Sequence, residues 1–308
     1  MSLIILCAAA LACLMLTTLI YDKYWKHGLN VSVAFQKRQI EEGQHVVLQE
    51  KVENRKILPL LTLTVKFQMD REMQYVETEN TNRTDRQYRN DCIPIMPYQR
   101  VIRSLELIGT ARGFYSVDEI SVVASDLFFQ KRYVRDYENQ TRLYVYPARS
   151  RLKRLPEAFQ RLYGEYLTNR LVQEDPFEFK GIRDYTSADP MWKINWKASA
   201  RTGNLKVNQF YDTAKYHLTI FLNVELRSIL KRWDLIEESI RITRNFVEDF
   251  VKKGVPVRVV SNGCDRLTHR EILIEEGAGG GHITVCLKQL ARLETGADVR
   301  EMEKVIRE

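Results

Sequence analysis

Cysteine, histidine, glycine and proline are all scarce in this chain of 308 residues, and each scarcity closes off a class of protein. With 14 glycines, 8 prolines, 44% hydrophobic and 28% charged residues, the composition is neither collagen-like, low-complexity nor disordered. Five cysteines are an odd number, and Cys7 and Cys13 lie in a hydrophobic N-terminus. That argues against a disulfide framework and places the folded part in a reducing compartment. The five histidines are scattered, and no H-E-x-x-H, G-x-S-x-G or C-x-x-C is present. Catalysis therefore has no positive support. Neither sign of charge dominates: 47 Lys and Arg face 40 Asp and Glu, a net charge of +7. The excess suits an acidic lipid surface or an acidic partner and does not by itself point to nucleic acid.

The chain has one long hydrophobic run. Met1–Ile20 carries no charged side chain, and about 18 apolar residues at about 1.5 Å each nearly match a bilayer core of about 30 Å. Tyr21-Asp22-Lys23-Tyr24-Trp25-Lys26-His27 follows as an aromatic belt with positive charge. A cleaved signal peptide needs a basic start, a shorter run and a small-x-small cleavage site, and none is convincing here. Lys23, Lys26, Lys37 and Arg38 all lie after the run, so the positive-inside rule places the bulk of the chain in the cytoplasm of a single-pass protein.

The length suggests about two domains. Four stretches are expected: a membrane anchor and juxtamembrane segment over 1–29, a β-sandwich over 30–148, a connecting helix and motif segment over 149–215, and an α/β domain over 216–308. Val31–Phe35, Val46–Val52, Leu61–Phe67, Val101–Leu107, Ile120–Val123 and Leu143–Tyr146 read as strands, with a polar stretch over Met69–Asn90 that reads as a long hairpin or a surface excursion. Phe159, Leu162, Tyr163, Tyr166 and Leu167 switch to a helical period. Leu218–Leu222, a helix over 235–250 stopped by Gly254, then Val255–Val260, Ile272–Ile274 and a helix over 283–293 follow the rhythm of a parallel α/β sheet.

Three constellations carry possible chemistry. Gly277-Ala278-Gly279-Gly280-Gly281 precedes a helix, but His282 stands where G-x-G-x-x-G needs its last glycine, so a flexible connection outweighs a phosphate loop. Cys264, His269, His282 and Cys286 are spaced loosely like zinc ligands, yet Cys286 also belongs to the apolar stripe of Ile283 and Leu290. The densest segment is 180–201. Asp189 followed by Pro190 is a helix start, which places Trp192 and Trp196 one turn apart and Lys193, Lys197 and Arg201 on another face. Two compatible roles follow: a docking helix whose tryptophans seal a domain junction beneath a solvated basic face, and a partner-binding surface formed by the basic stripe and the aromatics.

At this segment the chain resembles the bacterial family called domain of unknown function 58, whose hallmark is roughly R-x-Y-x-x-G-D-x-x-R-x-I-x-W-x-x-x-A-R. Arg183, Tyr185, Asp189, Ile194, Trp196, Ala200 and Arg201 match it, while Ala188 and Trp192 depart from it. Arg112-Gly113-Phe114-Tyr115, Ser125-Asp126-Leu127-Phe128-Phe129 and Val145-Tyr146-Pro147 resemble further family stretches, the second without its proline-glycine turn. The resemblance implies a membrane anchor, an immunoglobulin-like β-sandwich and a short α/β von Willebrand factor A-like domain, together an α+β multidomain protein. In such a domain a D-x-S-x-S metal motif follows the first strand; here Asn223, Glu225 and Arg227 stand at its three positions, and a guanidinium there opposes a divalent ion. No metal or other cofactor is expected. The family further implies work with a MoxR-type AAA+ ATPase on client proteins, hence a non-enzymatic, membrane-tethered adaptor or assembly factor whose partners are the lipid bilayer and that ATPase. An enzyme of envelope metabolism and a structural envelope protein are the alternatives.

Overall fold

A computed structural model of the chain describes residues 2–76, 81–83, 86–172, 179–210, 217–226, 232–296 and 299–307. It divides into two compact units. The first takes Met1–Ala148 with Gly263–Arg270 and Leu287–Asp298; the second takes Arg149–Asn262, Glu271–Cys286 and Val299–Glu308.

The first unit opens with helix α1 (Ser2–Tyr24), in which Ile4–Tyr24 is long and apolar enough to cross a membrane. Ten strands follow: β1 (Leu29–Phe35), β2 (Gln39–Glu41), β3 (His45–Asn54), β4 (Leu60–Asp70), β5 (Met73–Tyr75), β6 (Thr81–Arg83), β7 (Arg86–Ile95), β8 (Arg100–Gly109), β9 (Gly113–Ser125) and β10 (Arg132–Tyr146). They form two sheets, in the orders β1-β3-β8-β5 and β2-β10-β9-β4-β7-β6. Pairing is antiparallel except between β2 and β10. Period-2 alternation turns Val31, Val33, Leu48 and Leu107 of one sheet and Leu63, Val65, Ile120 and Leu143 of the other into one buried cluster. That shared core makes this a β-sandwich. Of the two readings of Met69–Asn90, the hairpin is the one found: the stretch holds β5, β6 and the start of β7. β6 is an edge strand whose ladder to β7, Thr81↔Arg89 to Arg83↔Gln87, comes from backbone pairing and leaves no apolar alternation to read.

The second unit contains α2 (Leu155–Val172), β11 (Phe179–Asp184), α3 (Trp196–Thr202), β12 (Lys206–Phe210), β13 (Leu218–Leu222), α4 (Trp233–Lys252), most of β14 (Val257–Cys264), β15 (Glu271–Gly277), the start of α5 (Gly280–Arg292), and α6 (Met302–Arg307). Ile236, Ile240, Val247 and Phe250 are the buried stripe of α4, and Phe159 of α2 meets Phe250 edge-on at 4.7 Å. Leu162 and Leu167, which share the helical period of Phe159, are exposed, as is Leu235 at the start of α4. Gly254 ends the α4 segment at φ +78°, the left-handed region where a side chain is strained.

Among the described residues of this unit the parallel-sheet expectation holds for one pair. β13 runs parallel to β14, Leu218↔Val257 to Leu222↔Ser261. β15 follows after 265–270, closed by the Asp265 N–H donating to the Arg270 carbonyl at 2.8 Å. A parallel neighbour needs a crossover of about a dozen residues or more, so that short connection rules one out.

Within the first unit the Arg-Gly-Phe-Tyr stretch is a built corner. The Tyr115 hydroxyl donates to the Ala111 carbonyl at 2.9 Å, and a Cβ on Gly113 would lie 2.7 Å from the Tyr115 ring. Buried Arg112 donates from Nη1 to the carbonyls of Leu290 and Leu293 at 2.9 and 2.8 Å, satisfying acceptors at the end of α5.

Candidate functional site: the segment from Arg183 to Arg201

β11 and β12 pair antiparallel, Ile182↔Asn208 to Asp184↔Lys206, and the chain between them makes a turn, a short 3-10 helix over Met191–Lys193, and α3. Asp189 does not cap a helix as expected. Its carboxylate instead receives both Arg183 guanidinium nitrogens, Nη1 to Oδ2 at 2.6 Å and Nη2 to Oδ1, together with the Thr186 N–H and hydroxyl. The Arg183 guanidinium, then Thr186, holds this carboxyl well below the usual carboxylate range. Arg183 and Asp189 thus clamp the turn in a bidentate pair. Tyr185 is held by its backbone, the N–H donating to the Leu205 carbonyl at 3.0 Å.

The expected single helix is broken at Ile194. That side chain is buried, its backbone is extended at φ −64° and ψ 127°, and it bridges to fully buried Val207. An apolar β-branched residue finds its core site by leaving the helix, and Trp192 and Trp196 lose the one-turn spacing they were given. Asn195 starts α3 instead, its Oδ1 accepting from the Ala198 N–H at 2.9 Å while its Nδ2 donates to Asn208 Oδ1 at 2.7 Å. Ser199, the buried residue of α3, accepts from the Lys206 N–H at 2.8 Å. Asn195 was missed; an asparagine directly before Trp-Lys-Ala-Ser-Ala-Arg was its available signal.

Burial corrects the expectation for the tryptophans. Trp196 is 64% exposed and Trp192 77% exposed, so neither is a core side chain. Met191, Ile182, Phe179 and Leu205 of the same small element are exposed as well. Lys193 sits on the short 3-10 helix, apart from the helix of the other two basic residues, with its ammonium 5.3 Å from the Trp192 ring centre. Lys197 and Arg201 lie one turn apart on α3 and are exposed. The segment therefore carries exposed apolar side chains, two indoles among them, together with basic groups, its turn and α3 held by Asn195, Ser199 and the Arg183–Asp189 pair. Such a surface can bind; it holds no nucleophile, base or metal ligand set in catalytic geometry.

At the end of β13, Asn223 Oδ1 accepts from the Glu225 N–H and from Asn262 Nδ2, both at 2.9 Å, while Asn262 Oδ1 accepts from the Val224 N–H. Asn262, fully buried and overlooked in the sequence, is the organising residue of this turn. Arg227 lies outside the described residues. Among the described residues no group of three or more His, Cys, Asp and Glu side chains could hold a metal ion. His282 donates from Nε2 to the Val257 carbonyl at 2.8 Å, and burial pushes the Cys286 thiol up to about 12, so it stays a neutral core side chain. A Cβ on Gly277 would press on the His282 ring.

No family model and no curated protein matches the chain. Solved structures that align with part of it include a non-cellulosomal cohesin from Archaeoglobus fulgidus at 7% identity, over 38% of this chain and 91% of that one, TM-score 0.26. The sixth cohesin of scaffoldin B from Acetivibrio cellulolyticus aligns at 12% identity over 38% and 99%, TM-score 0.26. The sporulation control protein Spo0M of Bacillus subtilis aligns at 12% identity over 51% and 58%, TM-score 0.22.

Proposed function

We propose that this chain is a non-enzymatic, membrane-tethered adaptor that presents the Arg183–Arg201 segment to a protein partner. One observation carries the reading: Trp192 and Trp196 stand exposed in a segment that also carries Lys193, Lys197 and Arg201, its turn held by the Arg183–Asp189 pair. Exposed indoles cost free energy in water, and tryptophan and arginine are the residues that most often anchor protein interfaces. The basic rim favours an acidic partner. The resemblance to the domain of unknown function 58 family supplies the partner class, a MoxR-type AAA+ ATPase acting on client proteins, with the bulk of the chain cytoplasmic. On the same resemblance the sandwich is immunoglobulin-like, and the three-stranded sheet with α4 and α5 is a reduced von Willebrand factor A-like domain.

The test uses the full chain in lipid nanodiscs and a purified MoxR-type ATPase. Wild type binds, and the double variant Trp192→Ala with Trp196→Ala keeps its melting curve and loses binding. Lys197→Glu with Arg201→Glu weakens binding and flattens its salt dependence. A double tryptophan variant that binds as tightly as wild type sinks the surface, and a wild-type chain that ignores the ATPase sinks that partner.

A further inference from the structure

The strand directions place four connections of the sandwich at one end: 25–28 after α1, 55–59 between β3 and β4, 96–99 between β7 and β8, and 126–131 between β9 and β10. All are tied to the last turn of α1 or to one another. The Tyr21 hydroxyl donates to the Pro59 carbonyl at 2.6 Å, and Lys56 Nζ donates to the Trp25 carbonyl at 2.7 Å. Lys131 pairs with Asp22 at 2.6 Å, and Trp25 stacks on Tyr133 at 5.4 Å. The Tyr98 N–H donates to the Lys56 carbonyl, and Asn54 Nδ2 donates to the Leu58 and Met96 carbonyls. These loops therefore flank residues 21–25, the level at which the apolar helix ends.

What they carry outward is unusual for water. Ile57 is 77% exposed, Tyr98 73% and Phe129 63%, with Met96 and Phe128 exposed beside them. Tyr98 and Phe129 also hold positive φ, 54° and 59°, which a bulky side chain rarely adopts. Their side chains gain little from the core, so packing does not explain why the loops present them. Charge around them is mainly basic. Lys26, Arg55, Arg100, Lys131 and Arg132 face Asp22, Glu53 and the buried Asp126, and Arg55 and Arg100 share the single carboxylate of Glu53.

We infer that this end of the sandwich is a second membrane contact, in which Ile57, Met96, Tyr98, Phe128 and Phe129 dip into the interface of an anionic phospholipid bilayer while the basic residues meet its headgroups. Aromatic and aliphatic tips with basic neighbours are the chemistry that recognises such an interface. Continuity with α1 selects lipid over other occupants, because the loops already stand at the end of the spanning helix. The inference rests on α1 spanning the bilayer and is independent of the partner proposed for Arg183–Arg201. Its consequence is mechanical: the first unit is seated on the membrane at several points around α1.

The test places single nitroxides on the full chain in nanodiscs, in a background of Cys7→Ala, Cys13→Ala, Cys92→Ala and Cys264→Ala. Labels go at Tyr98→Cys and Phe129→Cys, at Met15→Cys within α1, and at Arg71→Cys in the connection at the opposite end. Collision with oxygen against collision with a water-soluble nickel chelate reads depth. The expected result is a ratio several-fold higher at 98 and 129 than at 71, with 15 deepest. The contrast should widen when phosphatidylserine is added to phosphatidylcholine and shrink in high salt. Labels at 98 and 129 as nickel-accessible as 71, with 15 still deep, overturn the contact and leave the spanning helix standing. A shallow reading at 15 instead removes the spanning helix and the contact with it. Dipolar broadening between nitroxides at 129 would give the face to a second copy of the chain and overturn the lipid assignment.

Discussion

The sandwich of the first unit and the β11–β12–α3 element of the second are written in similar residues with opposite outcomes. Leu48, Leu63, Leu107 and Ile120 are fully buried because a facing sheet covers each of them. Phe179, Ile182, Trp192, Trp196 and Leu205 are comparably apolar and remain exposed. Alternation tells which side of a strand a residue lies on; whether anything covers that side is a separate fact. The difference separates a covered face from one that stays open, and the substitutions and the titration below can break it.

The largest effect belongs to the sandwich. Leu63→Ala or Leu107→Ala removes a fully buried side chain and should cost about 2–5 kcal/mol, read as a lower denaturant midpoint. Ile182→Ala, by contrast, should stay within about 0.5 kcal/mol; a loss as large as that of Leu107 would mean that the face is covered after all. Next, Arg112→Ala strips two buried carbonyls of a charged donor and should cost about 1.5–3 kcal/mol in the same assay. Asn195→Ala should cost about 1 kcal/mol and act locally, speeding amide exchange in α3 while leaving the sandwich amides unchanged.

The acid response of the Arg183–Asp189 clamp should be smaller. Its folded carboxyl is depressed, so its contribution is complete above the ordinary aspartate value of about 3.9 and disappears as pH falls from there toward the folded value. The Trp192 and Trp196 fluorescence should therefore shift on acidification below about pH 4, and the shift should vanish in Asp189→Asn. Smallest of all is Trp196→Ala, expected within about 0.5 kcal/mol of wild type because the indole is exposed. A calorimetric loss of several kcal/mol there would restore the junction role that its exposure argues against.

Much of the fold was legible because its causes are local. The uncharged run that became α1, the alternation of β1, β3, β4 and β8, and the glycine that ends the α4 segment all act within a few residues. Over Met69–Asn90 a hairpin was legible as one of two readings, but its strand bounds were not, because an edge hairpin is held by backbone bonds that any polar residue can make. In the candidate site, Arg183, Asp189, Trp196, Lys197 and Arg201 were all legible as members. Their arrangement was not. Asp189 had two partners open to it, a helix start and the guanidinium of Arg183 six residues before it, and the fold took the second.

By itself, then, the chain determined where it turns apolar, where it alternates and where helices stop, since those follow from side-chain period and backbone freedom. Tertiary structure decided the rest. It drew Ile194 onto Val207 and so broke the expected helix, closed β14 to β15 through a turn too short for a parallel crossover, and left Trp192 and Trp196 in the open. Each of these depends on which distant surface is present to cover an apolar group, and that cannot be read from its neighbours in sequence.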